Sequence, residues 1–419
     1  MTSISDTAEA RSYPPHSTFY LYLAARFVSV LTVQIQSVAV GWHIYSLTSD
    51  PFALGLVGLF QFVPMASLIL PAGDLADRFE RRLIIFGSAL LQSASAATLC
   101  GLAFTDVKST WPYYGALMMF GVARAFSAPA TQSFLPQLVP PERLPKAIAM
   151  SSSSFQVAVI AGPALGGVVY LAGAEATFAL SSALSLCVAL VLLAMKLPNR
   201  RYAAAVSSNM IMRVGEGISF IKRTPILLGA ISLDLFAVLL GGATALLPIY
   251  ARDILHVGPD GLGLMRSAPA VGAAVVALVL TQKPLERKAG AVMLVAVALF
   301  GIATIIFGVS RSFWLSLGAL GCLGAFDMIS VYVRSNLVQL ATPDPMRGRV
   351  SAVYMLFVSA SNELGEFESG ITASWFGVVP SVIVGGLGTL AIVGLSIFLF
   401  PALARVDRLA EVKPKEIGL

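Results

Sequence analysis

Charged residues are scarce in this 419-residue sequence: Asp, Glu, Lys and Arg make up 12% of it, against about a quarter in an average soluble protein. Hydrophobic residues make up 57%, and the mean hydropathy is +0.82. Water alone would not solvate such a surface. The composition therefore excludes an ordinary soluble protein and indicates a chain embedded in a bilayer.

Cysteine and histidine are equally sparse, with three of each. The cysteines fall inside apolar segments without metal-ligand spacing, which excludes a disulfide framework and a zinc site: Cys100, Cys187 and Cys322. The histidines are dispersed, and no His-Cys-Asp constellation suggests hydrolysis: His16, His43 and His256. We therefore expect no metal, no cofactor and no enzymatic activity.

Long polar segments are also lacking, apart from one between Pro198 and Thr224. The remaining sequence is a series of apolar stretches of about 20 residues or more, each long enough to cross a bilayer. It predicts twelve spanning helices near residues 18–47, 52–76, 82–104, 110–135, 144–172, 174–197, 225–252, 258–282, 288–309, 311–338, 348–375 and 378–404.

The polar interruption divides these helices into two sets of six. The predicted organisation is an N-terminal tail, a first bundle, a linker with an amphipathic helix, a second bundle and a C-terminal tail, at 1–17, 18–197, 198–224, 225–404 and 405–419. The halves repeat short patterns, such as Leu54-Gly55-Leu56 and Leu262-Gly263-Leu264. Two repeated halves predict a substrate site between them near the midplane.

The distribution of Lys and Arg predicts the orientation. If the N-terminus is cytoplasmic, 21 of the 28 basic residues lie in the tails and cytoplasmic loops, and only Lys108, Arg252 and Arg311 lie on the other face. No nucleic-acid-binding patch is formed. The positive-inside rule therefore places both termini in the cytoplasm, and the N-terminal tail lacks the features of a signal peptide.

A charged turn follows the second predicted span, at Gly73–Arg82. Its acids and arginines can bind neighbouring helix ends through charge-assisted hydrogen bonds and hold the two halves together on the cytoplasmic side. An ordinary positive-inside loop is the alternative. This segment resembles the cytoplasmic loop motif of the major facilitator superfamily, although Glu80 stands where that pattern usually has Gly. The resemblance implies a cytoplasmic gate formed by Gly73, Asp74, Asp77, Arg78, Arg81 and Arg82.

The fifth predicted span contains Gly162-Pro163-Ala164-Leu165-Gly166-Gly167. Gly162 and Gly166 share a helix face and allow close helix packing, while Pro163 loosens the helix. The segment is similar to the antiporter motif of the same superfamily, which implies export. Simple helix packing is the alternative reading.

The resemblance extends over the chain. The segment Ala25–Ser29 brings it near the branch that contains enterobactin exporters and macrolide-efflux proteins. It implies an all-α membrane fold of two pseudo-symmetric six-helix bundles and a siderophore-like or drug-like organic substrate.

Ionisable residues inside the predicted spans need an explanation, because each costs roughly 2.5–3.5 kcal/mol at the bilayer centre. Every buried carboxylate lies in the second half, so that half is expected to carry protons. Glu363 and Glu366 share a helix face, and their repulsion favours holding a proton. The proton-coupling candidates are Asp234, Asp327, Glu363, Glu366 and the arginine of span four, Arg124. Static salt bridges to Arg266 or Arg334 are the alternative.

Other polar residues in the spans are candidates for the cavity or the substrate site: Arg26, Gln34, Trp42, Arg266, Arg334 and Asn362. Trp42 fits a cavity wall and an interfacial belt equally well.

These observations predict a monomeric, proton-coupled exporter of small organic molecules in the bacterial inner membrane, working by alternating access. An importer or uniporter on the same fold is the alternative, and a non-transporting membrane receptor is more remote.

Overall fold

The computed structural model describes residues 13–195 and 210–412, so 1–12 of the predicted N-terminal tail, 198–209 of the predicted linker and 413–419 of the predicted C-terminal tail lie outside the described residues. Within the helices, the description does not include five side chains: those of Leu70, Asp77, Met210, Ile211 and Arg213.

Helices dominate the described part of the chain. The first half comprises α1 (His16–Thr48), α2 (Pro51–Arg78), α3 (Arg81–Phe104), α4 (Trp111–Leu138), α5 (Leu144–Tyr170) and α6 (Ala174–Ala194). The amphipathic α7 (Met210–Arg223) leads into the second half: α8 (Pro225–Leu240), α9 (Leu247–Ile249), α10 (Pro259–Gln282), α11 (Ala289–Val309), α12 (Phe313–Leu340), α13 (Asp344–Phe376), α14 (Val378–Leu399) and α15 (Pro401–Ala404).

Ten helical segments in this part are long and apolar enough to cross a membrane. The other two long helices, α4 and α13, pack against these segments, and α13 carries Glu363, Glu366 and Glu368. The predicted all-α membrane fold is confirmed.

The turns show the internal repeat that the sequence suggested. Gly173 (φ 105°) joins the fifth and sixth helices of the first half, and Gly377 (φ 88°) joins the corresponding helices α13 and α14 of the second. Glycine adopts a positive φ with little steric strain because it has no Cβ. Both turns can therefore reverse the chain sharply. These two are the only positive-φ glycines in the described residues.

The seventh predicted span is interrupted, whereas the sequence predicted one helix over 225–252. α8 ends at Leu240, and a 3₁₀ turn (Ala243–Leu246), α9 and a π-helical turn (Tyr250–Ile254) follow. Gly242 stands at the break, where an added Cβ would lie 2.6 Å from the carbonyl oxygen of Gly365 in α13. Such irregular backbone is tolerated where it is buried in protein or lines a cavity.

Buried side chains pack into separate clusters at the two ends of the bundles. We call the end where α1 begins and α14 ends the terminus face, and the other end the opposite face. At the terminus face each half has its own cluster, around Phe134 in the first half and Leu337 in the second. At the opposite face one cluster joins both halves, with Ile44 and Tyr45 of α1 packed among second-half residues such as Leu247 and Met265.

Candidate functional site: a cavity between the two halves

A cavity of about 510 Å³ lies between the halves, within the size range of small-molecule sites. The first half supplies most of its wall, from α1 to α6. The second half contributes Ala245, Arg266, Glu363 and Glu366. A molecule in this cavity would therefore contact mainly first-half side chains and a few charged groups from the second half.

The cavity is closed at the opposite face. Beyond the shared apolar cluster, the Tyr45 hydroxyl donates a hydrogen bond to the Asp253 carboxylate. Arg252 donates from Nη1 to the Tyr45 carbonyl oxygen over 3.3 Å, and its guanidinium carbon lies 5.5 Å from the centre of the Tyr45 ring. These contacts join α1 to the π-helical turn of the second half. The cavity extends instead toward the terminus face, where its wall includes Tyr22 and Gln132.

An ion pair crosses the cavity between the halves. Arg124 Nη1 of α4 donates to Glu363 Oε1 of α13 over 2.7 Å, and both side chains are partly buried. Arg266 of α10 donates to the hydroxyl of Ser37 in α1, a second polar contact between the halves. Glu366 lines the same cavity as three other charged residues, Glu363, Arg266 and Arg124, which act on its carboxylate electrostatically. Charged side chains therefore supply polar contacts between the halves at the cavity.

Two further predicted cavity residues also lie in the wall, namely Arg26 and Gln34. Arg26 Nη1 donates to the hydroxyl of Ser151 in α5 over 2.6 Å. It has no ion-pair partner among the described side chains. The cavity wall thus has three arginines and two glutamates, and it carries one net positive charge when all five are ionised.

Three predicted cavity residues do not line the cavity. Trp42 packs against the apolar cluster at the opposite face. Asn362 donates to the carbonyl oxygen of Val358 in its own helix and is exposed. Arg334 is buried inside the second half, paired with Asp234. The sequence places these residues within membrane spans. The orientation of each helix, which the sequence did not reveal, directs their side chains away from the cavity between the halves.

Asp234 and Asp327, predicted as proton carriers, share a small pocket within the second half. The pairing of Asp234 with Arg334 is one of the static salt bridges that the sequence left open.

The predicted cytoplasmic gate is described only in part, because the Asp77 side chain lies outside the description. Arg78 pairs with Asp74 one turn earlier at 3.0 Å. Arg82 pairs with Glu80 at 2.8 Å and donates to the carbonyl oxygen of Met195 beyond α6. These contacts stay within the first half. Contact of the gate with the second half remains a prediction.

The glycines of the predicted antiporter motif lie at two close helix contacts. Added Cβ atoms on Gly162 and Gly166 would lie 2.5 Å from Gln34 Cβ and 2.9 Å from Ile35 Cα, both in α1. At Gly167 the Cβ would lie 2.3 Å from the carbonyl oxygen of Pro259, in the second half. The Pro163 carbonyl oxygen similarly approaches Gly263 of α10. The motif therefore packs α5 against α1 and against the other half.

Sequence reasoning missed several polar residues of the wall. Gln92 and Gln36 are buried but line the cavity, and Gln36 Nε2 makes no hydrogen bond to any described group. Their isolation within apolar spans was the signal, since buried amides need partners. Within the described residues, no group of three or more His, Cys, Asp or Glu side chains could hold a metal ion.

Two helical bundles around a cavity, with irregular backbone at its wall, define a multi-pass membrane transporter of the major facilitator type. Comparisons agree on this class. The model of the transmembrane secretion effector family matches residues 12–416, and the chain belongs to that family.

Curated relatives include the enterobactin exporter EntS of Citrobacter koseri, which is 26% identical, with 92% of each chain covered. Macrolide efflux protein A of Streptococcus pyogenes is 24% identical, covering 86% of this chain and 90% of the relative. A bacterial homologue of the human lysosomal transporter Spinster, solved in an inward-facing and occupied conformation, superimposes with a TM-score of 0.70. It is 15% identical and covers 93% of this chain and 96% of its own. The matched relatives are transporters, and the chain is a transporter, not an enzyme.

Proposed function

We propose that this protein exports small organic molecules from the bacterial cytoplasm in exchange for protons, by alternating access of the cavity to the two sides of the inner membrane. The observation that best supports this proposal is a group of charged residues where the two halves meet at the cavity: Glu363, Glu366, Arg124 and Arg266. The similarity to an enterobactin exporter and a macrolide efflux protein supports outward transport.

The distribution of the basic residues supports a cytoplasmic terminus face, by the positive-inside rule. With this orientation, the cavity extends toward the cytoplasm and is closed on the other side. An exporter binds its substrate from the cytoplasm in this conformation.

The coupling step follows from charge. When Glu363 takes up a proton, its attraction to Arg124 is lost and the ion pair between the halves weakens. Protonation of Glu366 likewise removes a negative charge next to Arg266. Two carboxylates so close together favour proton binding by one of them. Proton uptake can therefore change the contact between the halves and the binding of substrate in the same cavity.

Proteoliposomes containing Glu366→Gln test the coupling. Glutamine keeps the size of the side chain but cannot titrate, so we expect export driven by a pH gradient to collapse while substrate exchange at equal pH continues. Enterobactin and a macrolide are the first substrates to screen by thermal shift, since binding raises stability by mass action.

The matched control is Glu368→Gln on the same helix, which does not line the cavity. Concentrative export by Glu366→Gln at the normal rate would exclude proton coupling at this residue and favour a uniporter. Accumulation inside right-side-out vesicles would indicate import. Binding without any flux would indicate a receptor.

A further inference from the structure

One face of α1 runs along the cavity between the halves and changes in character with depth. Four residues at helical spacing on this face line the cavity: Arg26, Val30, Val33 and Ser37. Arg26 lies about 15 Å along α1 from its first residue at the terminus face, and Ser37 lies about 16 Å beyond Arg26. A molecule entering from the terminus face therefore meets a positive charge first, then an apolar surface.

Two of the three arginines in the cavity wall have an acidic neighbour. Arg124 pairs with Glu363 at 2.7 Å, and the Glu366 carboxylate interacts electrostatically with Arg266. Arg26 has no ion-pair partner among the described side chains, so it accounts for the net positive charge of the wall.

The polar neighbours of Arg26 are neutral hydroxyls. Its Nη1 donates to Ser151 Oγ of α5 over 2.6 Å, and Tyr22 lies one turn earlier on α1. A guanidinium has five N–H donors, arranged so that two can bind one carboxylate or phosphate at the same time. Two hydroxyls leave part of this donor set available. A charge inside a span needs compensation, and here a ligand in the cavity can supply it.

Apolar side chains form the wall directly beyond this guanidinium. Val30 and Val33 follow on α1, while Phe155 and Val159 of α5 stand one and two turns after Ser151 and also line the cavity. A ligand held at the guanidinium would therefore place its remaining atoms against apolar groups from two helices.

We propose that the substrate is an amphipathic organic acid whose acidic group binds Arg26 and whose apolar body lies against Val30, Val33 and Phe155, an assignment that rests on the proposed function in taking this cavity as the substrate site. One acidic group matches one unpaired arginine. An organic cation would instead add to the net positive charge of the wall.

The acidic group would bind far from the carboxylate that the proposed export titrates. A Cβ added to Gly58 would lie 3.1 Å from Glu366 Oε2, and Gly58 is about 10 Å along α2 from its start at the opposite face. Arg26 is about 33 Å along α1 from its end at the same face. The two sites thus differ in depth by about 20 Å, more than twice the distance of about 8 Å over which salt screens charges in water. An acid at Arg26 is therefore compatible with exchange for protons at Glu366.

Thermal unfolding of the purified full-length protein in detergent tests the proposal with three acids of increasing apolar size and their neutral primary amides. The acids are 4-phenylbutyrate, 1-naphthylacetate and 1-pyrenebutyrate. We expect at least one acid to raise Tm more than its amide does, because binding to the folded state stabilises it. The dependence of Tm on ligand concentration gives the apparent Kd.

Arg26→Gln should weaken binding of that acid about tenfold or more, through loss of a charge-assisted hydrogen bond, and should leave acid and amide bound equally. Arg26→Lys keeps the charge but not the two-bond geometry. It should therefore retain a preference for the acid with several-fold weaker binding, while binding of the amide stays unchanged. The exposed Arg408→Gln, outside the cavity, is the matched control and should behave as the native protein does.

Equal stabilisation by every acid and its amide, or no stabilisation by any acid, would overturn the proposal. A preference for the acid that persists in Arg26→Gln would assign the acidic group to Arg124 or Arg266 and overturn it too. If Arg26→Gln does not fold, Arg26→Lys carries the test, and unchanged binding of the acid there would be the contrary result. Binding is measured at one pH and without a membrane, so its failure would leave proton-coupled export intact. Failure of the Glu366→Gln transport test would likewise leave acid binding intact.

Discussion

Two arginine–aspartate pairs of this protein differ mainly in their exposure to solvent. Arg334 and Asp234 have side chains 2% and 7% exposed, inside the second half. Arg78 and Asp74 lie 3.0 Å apart with side chains 54% and 53% exposed. Exposed pairs contribute about 0–1 kcal/mol, whereas removing one partner of a buried pair leaves an unpaired charge.

We therefore predict that Arg334→Met lowers the free energy of unfolding by about 3–5 kcal/mol. Arg78→Met, the matched control, should change it by less than about 1 kcal/mol. Adding Asp234→Leu to Arg334→Met should recover much of the loss, because no buried charge then remains. Reversible unfolding of the three variants in mixed micelles measures this. Equal losses in Arg334→Met and Arg78→Met would show that burial does not set the strength of the pair.

Residue types could be read from the sequence, but residue partners could not. Scarce charges in apolar spans identified Arg124, Glu363 and Arg334, since each needs a compensating contact in a membrane. Arg124 and Glu363 are 239 positions apart, and only the packing of α4 against the other half brings them together. Arg334 also lies within a span, yet it faces its own half, where it pairs with Asp234 of α8.

At the scale of helices, glycine spacing carried more information than hydropathy. The glycines of α5 were predicted to form a close helix contact, and they approach both α1 and α10. Hydropathy predicted a continuous seventh span, because the residues around Gly241 and Gly242 are apolar. The break depends on the close approach of Gly365 in α13, which no local pattern reveals.

Gly167 gives the most direct test of packing between the halves. In Gly167→Ala the added Cβ would lie 2.3 Å from the Pro259 carbonyl oxygen and 2.9 Å from Asp260 Cα, so the backbone would have to move. Overpacking of this kind costs about 1–3 kcal/mol. We predict that the variant folds but favours separation of the halves at the opposite face.

Labelling of Val33→Cys in the cavity wall by an impermeant thiol reagent from the opposite face would report this shift. We expect faster labelling in the Gly167→Ala background. Gly101→Ala in α3 is the control, since an added Cβ there meets nothing within 4 Å. The same labelling rate in the Gly167→Ala and Gly101→Ala backgrounds would contradict the prediction. It would mean that the contact between α5 and α10 adjusts to the added Cβ without opening the cavity.

At the scale of the whole molecule, the packing is unequal at the two ends. One apolar cluster joins the halves at the opposite face, while each half has its own cluster at the terminus face. In the proposed alternating access, relative rotation of the two halves would expose the cavity on one side and then on the other. The sequence predicted two halves from the polar interruption and the repeat, but not which end is packed, because that depends on contacts between distant helices.

The proposed alternating access requires the halves to separate at the opposite face in every cycle. A cross-link between the positions of Phe52 in α2 and Phe367 in α13 would prevent this separation. Their ring centres lie 6.3 Å apart across the boundary between the halves. In a variant whose three native cysteines are replaced, we predict that a short reducible cross-linker between Phe52→Cys and Phe367→Cys abolishes export.

Substrate binding from the terminus face should survive cross-linking, because the cavity already extends that way, and reduction of the linker should restore export. Each single-cysteine variant treated with the same reagent controls for modification alone. Normal export by the cross-linked protein would show that the halves do not need to part at this contact. The path to the outside would then have to run through the first half, which supplies most of the cavity wall.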